Sequence, residues 1–407
     1  MSESSVKFNK ISISKRAREI QGSPIRKLAF IAEARKKEGI KIFHLNIGQP
    51  DLASPLAVRD FMHAFSEKTI EYAPSNGLPP VLNAWKNYFF HCGIHFHENE
   101  MIVTTGGSEA LIFALCAVCD PGDDVIVFEP FYTNYAGFAS IANAKLTPIP
   151  LHIEDSFQLP SKEEIEKHIT PRTKAILFCN PSNPTGKVYR KEELRELVDL
   201  ALEYNLFLIS DEVYREFAYE KKPISIANIP EVFEQAILVD SCSKRFNMCG
   251  ARVGVLATKN KEVLDAVLKF GMARLSVATV EQLAMVPMLN NPDAFVKPMV
   301  EEFHRRRDAV YERLTRIPDV TYYKPEGAFY IVVGLPVNDA EHFAKWLVEE
   351  FDDNNETVLV APAQGFYATP GKGKNEVRLA FMLNVPDLQR SLEIIEKALN
   401  VYRGQFI

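Results

Sequence analysis

Apolar and polar positions follow two different rhythms along this chain, and the change between them divides it. From about residue 100 to 260, short apolar runs rich in β-branched and aromatic residues are separated by segments of helical period. The runs at 101–104, 124–128, 175–178, 207–210, 236–239 and 254–257 predict strands. Helical patterns over 108–119, 191–204 and 261–270 separate several of them, the signature of crossover units and a largely parallel sheet. Upstream, 24–37 reads as an amphipathic helix and 42–45 as a short strand that ends at Asn46-Ile-Gly-Gln-Pro50. Past residue 290 the pattern becomes a long charged helix through 301–313, strands at 329–333 and 377–380, and a final helix, which predicts a smaller α+β unit.

A chain of 407 residues with 47% apolar content exceeds one ordinary core, so at least two domains are expected. The net charge of −6 argues against a nucleic-acid surface, although Lys7, Lys10, Lys15, Arg16 and Arg18 make the start locally basic. An anionic ligand must therefore be held by individual cations. No apolar stretch reaches the roughly 18 residues of a membrane span, nor is there an apolar leader core, so the expected compartment is the cytoplasm. The six cysteines lack the density of a disulfide scaffold. Cys116 and Cys119 form a CxxC without a second pair, and His91, Cys92, His95 and His97 have no nearby carboxylate to close a site, so no metal is expected.

The chemistry gathers just past the carboxyl ends of the predicted strands, where open α/β sheets bind ligands. Ser241-Cys-Ser-Lys244, with Arg252 eight residues on, offers an amine, hydroxyls and a guanidinium. That set suits a phosphorylated aldehyde cofactor, captured covalently by the amine and held by its phosphate. Thr104-Thr-Gly-Gly-Ser-Glu109 opens a helix after a strand, so Gly107 allows close approach and the N–H groups of Ser108 and Glu109 face an anion. Tyr132 supplies an aromatic plate, and Asn183 is fixed in the turn Asn180-Pro-Ser-Asn-Pro-Thr-Gly186. Asp211 follows an apolar strand and can hold a pyridine nitrogen protonated, while Tyr214 can bond a phenolic oxygen. Arg378, in an apolar strand, needs an anionic partner such as a substrate carboxylate. Each has a plainer reading by itself: an ordinary turn, a core aromatic, a helix N-cap at Asp211, a structural ion pair at Arg378.

Taken together, these six groups resemble the class I and II aminotransferases of the fold-type-I pyridoxal-phosphate superfamily, most closely the aspartate and aromatic branch, over nearly the whole chain. The resemblance implies an α/β fold, a large domain with a mostly parallel seven-stranded sheet and a smaller α+β domain. It implies an N-terminal arm and part of the small domain at 1–50, the large pyridoxal-phosphate domain at 51–290 and the small domain at 291–407. Lys244 matches the lysine that carries pyridoxal 5'-phosphate; Asp211 and Tyr214 match the groups on its ring nitrogen and phenolic oxygen. Asn183 matches the second partner of that oxygen, Tyr132 the stacking ring, and Gly107, Ser108, Glu109, Ser241, Ser243 and Arg252 the phosphate cup. Arg378 and the backbone at Gly48 match the α-carboxylate clamp. Tyr72, in Tyr-Ala-Pro-Ser-Asn-Gly77, resembles a tyrosine that reaches the phosphate from the neighbouring subunit, which implies a homodimer.

The implied reaction moves the α-amino group of an L-amino acid, aspartate first, to a 2-oxo acid such as 2-oxoglutarate. Aromatic, alanine or kynurenine transamination and a β-lyase on the same fold are the alternatives. Two departures bear on the substrate side chain. Ser108 stands where some aspartate enzymes of the branch carry a lysine; the resemblance offers Arg274, in a segment that in the family approaches the partner's site, as a candidate for a distal carboxylate, and Pro362-Ala-Gln-Gly-Phe-Tyr367 differs from the commoner Pro-Gly-x-x-Phe-Gly. A binding protein without turnover would have lost one of the core groups, and a nicotinamide dehydrogenase would carry G-x-G-x-x-G after its first strand.

Overall fold

The computed structural model describes residues 12–406 apart from Gln21, Ser23 and Pro50, so Lys7 and Lys10 of the basic start lie outside the described residues. In chain order the first strands are β1 (Lys41–His44), β2 (Met101–Thr104), β3 (Asp124–Glu129), β4 (Lys145–Pro150), β5 (Thr173–Cys179), β6 (Phe207–Asp211), β7 (Ala236–Ser241) and β8 (Gly254–Thr258). They are followed by β9 (Thr321–Tyr322), β10 (Tyr330–Gly334), β11 (Glu356–Leu359), β12 (Ala361–Pro362) and β13 (Glu376–Ala380).

Seven strands form one sheet in the order β2-β8-β7-β6-β5-β3-β4. Its four pairings among β4, β3, β5, β6 and β7 are parallel, and β8 runs antiparallel to both β7 and β2. The apolar runs are continuous because both faces of the sheet are covered. In β5, Ala175 and Leu177 belong to the same core cluster as Ala110 and Leu111 of the helix Gly106–Val118, whereas Ile176 and Phe178 belong to the one that holds Leu197 and Val198 of the helix Lys191–Tyr204. The edge strand β4 was not expected. Its sequence, Lys145-Leu-Thr-Pro-Ile-Pro150, contains two prolines, which an edge tolerates because one side needs no ladder donors.

The ends of the central strands run further than their apolar runs. β6 continues through Asp211, opposite Val239 and Cys179, and β7 continues through Asp240 and Ser241. Polar side chains are thereby fixed by ladder hydrogen bonds at the carboxyl edge.

A four-stranded sheet, β12-β13-β10-β9, and the parallel pair β1–β11 form the second part of the fold. The β1–β11 pairing attaches the N-terminal strand to the C-terminal part of the chain. The expected helix at 24–37 is divided: a 3-10 turn at Pro24–Arg26 precedes an α-helix at Ala29–Lys37, with Leu28 between them at φ −94°, ψ 1°. The charged helix spans Asp293–Leu314 and the last helix Val385–Phe406. No helix among the described residues is long and apolar enough to cross a membrane.

Candidate active site

A cavity of about 490 Å³ opens at the carboxyl edge of the seven-stranded sheet. Gly48, Gly107, Ser108, Tyr132, Asn183, Asp211, Tyr214, Ser241, Ser243, Lys244, Arg252 and Arg378 all line it. Residues from five strand ends and from the second sheet therefore meet in one place, as expected of a ligand site in an open α/β sheet.

Lys244 lies in the short helix Cys242–Arg245, entered directly from β7. Ser241 caps that helix: its Oγ accepts from the Ser243 N–H at 3.1 Å and lies 2.8 Å from the Ser243 hydroxyl. Lys244 Nζ donates to the Gly48 carbonyl at 2.9 Å, which aims the amine across the cavity. Only glycine fits position 48. A Cβ there would lie 1.8 Å from the Tyr330 hydroxyl, and that hydroxyl is 3.0 Å from the Tyr214 hydroxyl.

Asp211 is buried and has no ion-pair partner among the described residues. It accepts the Tyr135 hydroxyl at 2.8 Å and lies 3.4 Å from the Val213 N–H. Burial pushes its carboxyl up to about 6, against these two hydrogen bonds, which pull it down. Burial also holds the Tyr135 and Tyr214 phenols well above their ordinary range, so both remain protonated. A buried carboxylate in this position is suited to a cationic N–H of a heteroaromatic ring.

Arg378 is buried between the rings of Tyr330 and Phe366, its guanidinium carbon 4.4 and 4.9 Å from their centroids. It donates to Asn183 Oδ1 at 3.2 Å and to the Asn46 carbonyl, and its Nε is buried without a partner. No carboxylate neutralises it among the described residues. A bidentate anion entering the cavity would complete its hydrogen bonding.

The anion cup is formed where the helix Gly106–Val118 starts. Gly106 has φ +72°, and a Cβ there would lie 2.6 Å from Arg252 Nη2, so glycine lets the guanidinium lie over the turn. Arg252 donates to the Thr105 and Cys249 carbonyls at 3.2 and 3.1 Å. With the helix N-terminus, Ser108, Ser241 and Ser243, it provides the charge and donors a phosphate requires.

Glu109, Arg274 and Tyr72 do not line this chain's cavity, Tyr72 being the residue expected to serve the neighbouring subunit. The Glu109 carboxylate turns back to the Thr105 N–H at 2.8 Å and to Arg274 at 2.9 Å, so its side chain is not part of the cup. Arg274 does not line the cavity of its own chain; it also donates to the carbonyls of Ser75 and Val103 at 3.1 and 3.4 Å. Tyr72 is 83% exposed and outside the cavity. Sequence reasoning missed Tyr135, Tyr330, Asn134, which donates to the Tyr132 hydroxyl at 2.8 Å, and Cys249, whose Sγ is 3.9 Å from Lys244 Nζ. Tyr135 could have been found as the residue one turn beyond Tyr132, whereas Tyr330 comes from a strand distant in sequence.

A lysine, a lone buried carboxylate, an anion cup and an unpaired arginine around one cavity define a site for a phosphorylated aldehyde cofactor and a carboxylate-bearing substrate. The family described as "Aminotransferase class I and II" matches residues 40–395. A probable aspartate aminotransferase of Methanocaldococcus jannaschii is 32% identical over 398 residues, covering 95% of this chain and 99% of that protein. Aromatic-amino-acid aminotransferase 2 of Thermococcus litoralis is 30% identical, covering 96% and 98%. The solved structure of aspartate aminotransferase from Thermus thermophilus with maleate superposes with a TM-score of 0.87 at 30% identity, covering 96% of this chain and all of that one. This chain belongs to the class I and II aminotransferases. It is a pyridoxal-phosphate-dependent enzyme of fold type I.

Proposed function

We propose that this enzyme transfers the α-amino group of an L-amino acid, aspartate first, to a 2-oxo acid such as 2-oxoglutarate. The observation that carries the reading is Arg378: a buried guanidinium without a carboxylate partner among the described residues, lining the same cavity as Lys244 and Asp211. Its hydrogen bonds to Asn183 and Asn46 fix the plane in which it presents a fork to a substrate α-carboxylate.

Pyridoxal phosphate, when bound, supplies an electron sink for the charge that develops at the substrate Cα. The cup of Gly107, Ser108, Ser241, Ser243 and Arg252 would hold its phosphate, with the Glu109 backbone N–H as the remaining donor from the helix start. Asp211 would keep the ring nitrogen protonated, Tyr214 and Asn183 would bond the phenolic oxygen, and Tyr132 would stack on the ring. Lys244 Nζ would hold the cofactor covalently at rest and, once the substrate's amine has displaced it, would be free as the amine that takes the proton from the substrate Cα and carries it as a general acid. Arg378, with the Gly48 backbone, orients the substrate so that its Cα–H faces Lys244.

The reading includes a cytoplasmic homodimer in which Tyr72 completes the partner's phosphate cup. Supporting it, Tyr72 and Ile70 are exposed beside Met272 and Leu275, which are 55% and 56% exposed. The two stretches are neighbours, joined by Thr279, donating to the Glu71 carbonyl at 2.7 Å, and by the Arg274–Ser75 bond. The domains would be 51–290 and 291–407, with 1–50 joining the latter through the β1–β11 pair. Unpaired cysteines fit a reducing compartment.

Aspartate is favoured by the M. jannaschii and T. thermophilus relatives. An aromatic donor is the second reading, favoured by the T. litoralis relative and by Ile25 and Ile47 on the cavity wall. The test is a single-turnover half-reaction. Holoenzyme is mixed with aspartate, phenylalanine, alanine or kynurenine separately, and the cofactor's absorbance and the keto-acid product are followed. Aspartate is expected to react fastest and give oxaloacetate; faster reaction with phenylalanine would replace it as donor, and release of ammonia and pyruvate from a donor with a leaving group at Cβ, such as an S-alkylcysteine, would mark a lyase.

A further inference from the structure

Glu129 ends β3 in the seven-stranded sheet and is completely buried. Its Oε2 accepts two backbone N–H groups, from Ala368 at 2.6 Å and Thr369 at 3.1 Å, and its Oε1 is buried without a partner. Both donors lie between β12 and β13 of the other sheet. A second bond parallels this contact: the Phe131 N–H donates to the Phe366 carbonyl at 2.9 Å.

What lies on each side gives the contact a meaning. Two residues before Ala368 is Phe366, the ring that backs the Arg378 guanidinium at 4.9 Å. The same segment is anchored to β13 by the Ala361–Arg378 pairing. Three residues after Glu129 is Tyr132 on the cavity wall. One carboxylate thus fastens the support of the α-carboxylate clamp to the loop that carries the stacking ring, across the boundary between two sheets. A charged acceptor sharing one oxygen between two N–H groups is stronger than the neutral turn contact a loop would otherwise make.

We propose that Glu129 is a positioning residue for substrate binding: it holds the 363–369 segment, and with it Phe366 and Arg378, at a fixed distance from Tyr132. The inference rests on Arg378 as the substrate carboxylate site. It predicts an effect on KM for both amino acid and 2-oxo acid, with the cofactor's environment unchanged, because Glu129 does not line the cavity.

The test uses the holoenzyme of Glu129→Gln, Glu129→Ala and Ala368→Pro. Ala368→Pro removes the shorter donor from the opposite side, and Tyr367, at φ −115°, ψ 138°, already has the backbone a residue before proline prefers. Both Glu129→Ala and Ala368→Pro are expected to raise KM for both substrates roughly five- to tenfold, with cofactor absorbance and affinity as in the wild type. Glu129→Gln keeps an acceptor oxygen and should fall between them and the wild type. If Glu129→Ala does not fold, the Gln and Pro variants carry the same comparison. Unchanged KM in variants that bind cofactor fully, or a loss confined to melting temperature and cofactor content, would overturn the proposal. Wild-type turnover, measured in the same series, separates that outcome from failure of the aminotransferase reading.

Discussion

Tyr135 donates its phenolic hydroxyl to Asp211 Oδ2 across 2.8 Å, with both residues buried. The bond fixes the carboxylate and favours its ionised form, opposing the desolvation that raises it. Tyr135→Phe removes the donor without opening the core. The expected result is a fall in kcat of about tenfold with KM little changed, since a hydrogen bond to a charged group is worth about 1.5–3 kcal/mol. Steady-state kinetics with both substrates varied checks this, and an unchanged kcat would remove Tyr135 from the mechanism.

The same carboxylate should be legible in the stability of the apoenzyme. Asp211 is pushed up to about 6 in the fold from an ordinary 3.8, so the folded state binds its proton more tightly than the unfolded chain does. The stabilisation is fully present below about pH 4 and is lost as pH rises through about 6, a change on the order of 3 kcal/mol. Asp211→Asn should flatten this part of the curve. Glu216, pushed up to about 7 by its own burial, contributes a slope that both proteins share, so the difference between their denaturant curves from pH 4 to 8 isolates Asp211. Parallel curves would contradict the assignment of a buried, unpaired carboxylate.

Subunit mixing tests the place of Tyr72. Tyr72→Ala and Lys244→Ala homodimers each lack one component at both sites. If Tyr72 serves the partner, a mixed dimer contains one site with both Lys244 and Tyr72 intact, and activity rises above the sum of the separate proteins on co-refolding. If Tyr72 serves its own chain, no complete site forms and mixing adds nothing.

Arg274 donates to Glu109, Ser75 and Val103 of its own chain, which ties the first turn of the helix Gly106–Val118 and the end of β2 to the end of the helix Lys261–Arg274. Arg274→Ala is therefore expected to lower stability by about 1–3 kcal/mol while leaving KM for aspartate and 2-oxoglutarate unchanged. A selective rise in KM for dicarboxylates, with neutral donors unaffected, would assign Arg274 to the distal carboxylate.

Much of this fold can be read in the sequence because the central strands are covered on both faces and spell continuous apolar runs, each followed by a polar residue at the cavity edge. Asp211, Ser241 and Asn183 were visible for that reason. β4 was hidden by two prolines that only its edge position tolerates. The partners of the Glu109 carboxylate were not legible, because the Thr105 N–H reaches it from the turn before the helix and Arg274, 165 residues away in sequence, completes the pair. Tyr330 and the Glu129 contact with Ala368 and Thr369 join the two sheets, and such pairings leave no periodic trace in a single chain.

The most direct test of the account is to reduce the holoenzyme with borohydride, before and after a single turnover with aspartate, and map the cofactor-labelled peptide. The account predicts the label on Lys244 in the resting enzyme. After aspartate has reacted, the label should be lost, with one oxaloacetate formed per site and no ammonia. A label on another residue, or one that persists while aspartate is consumed, would contradict it.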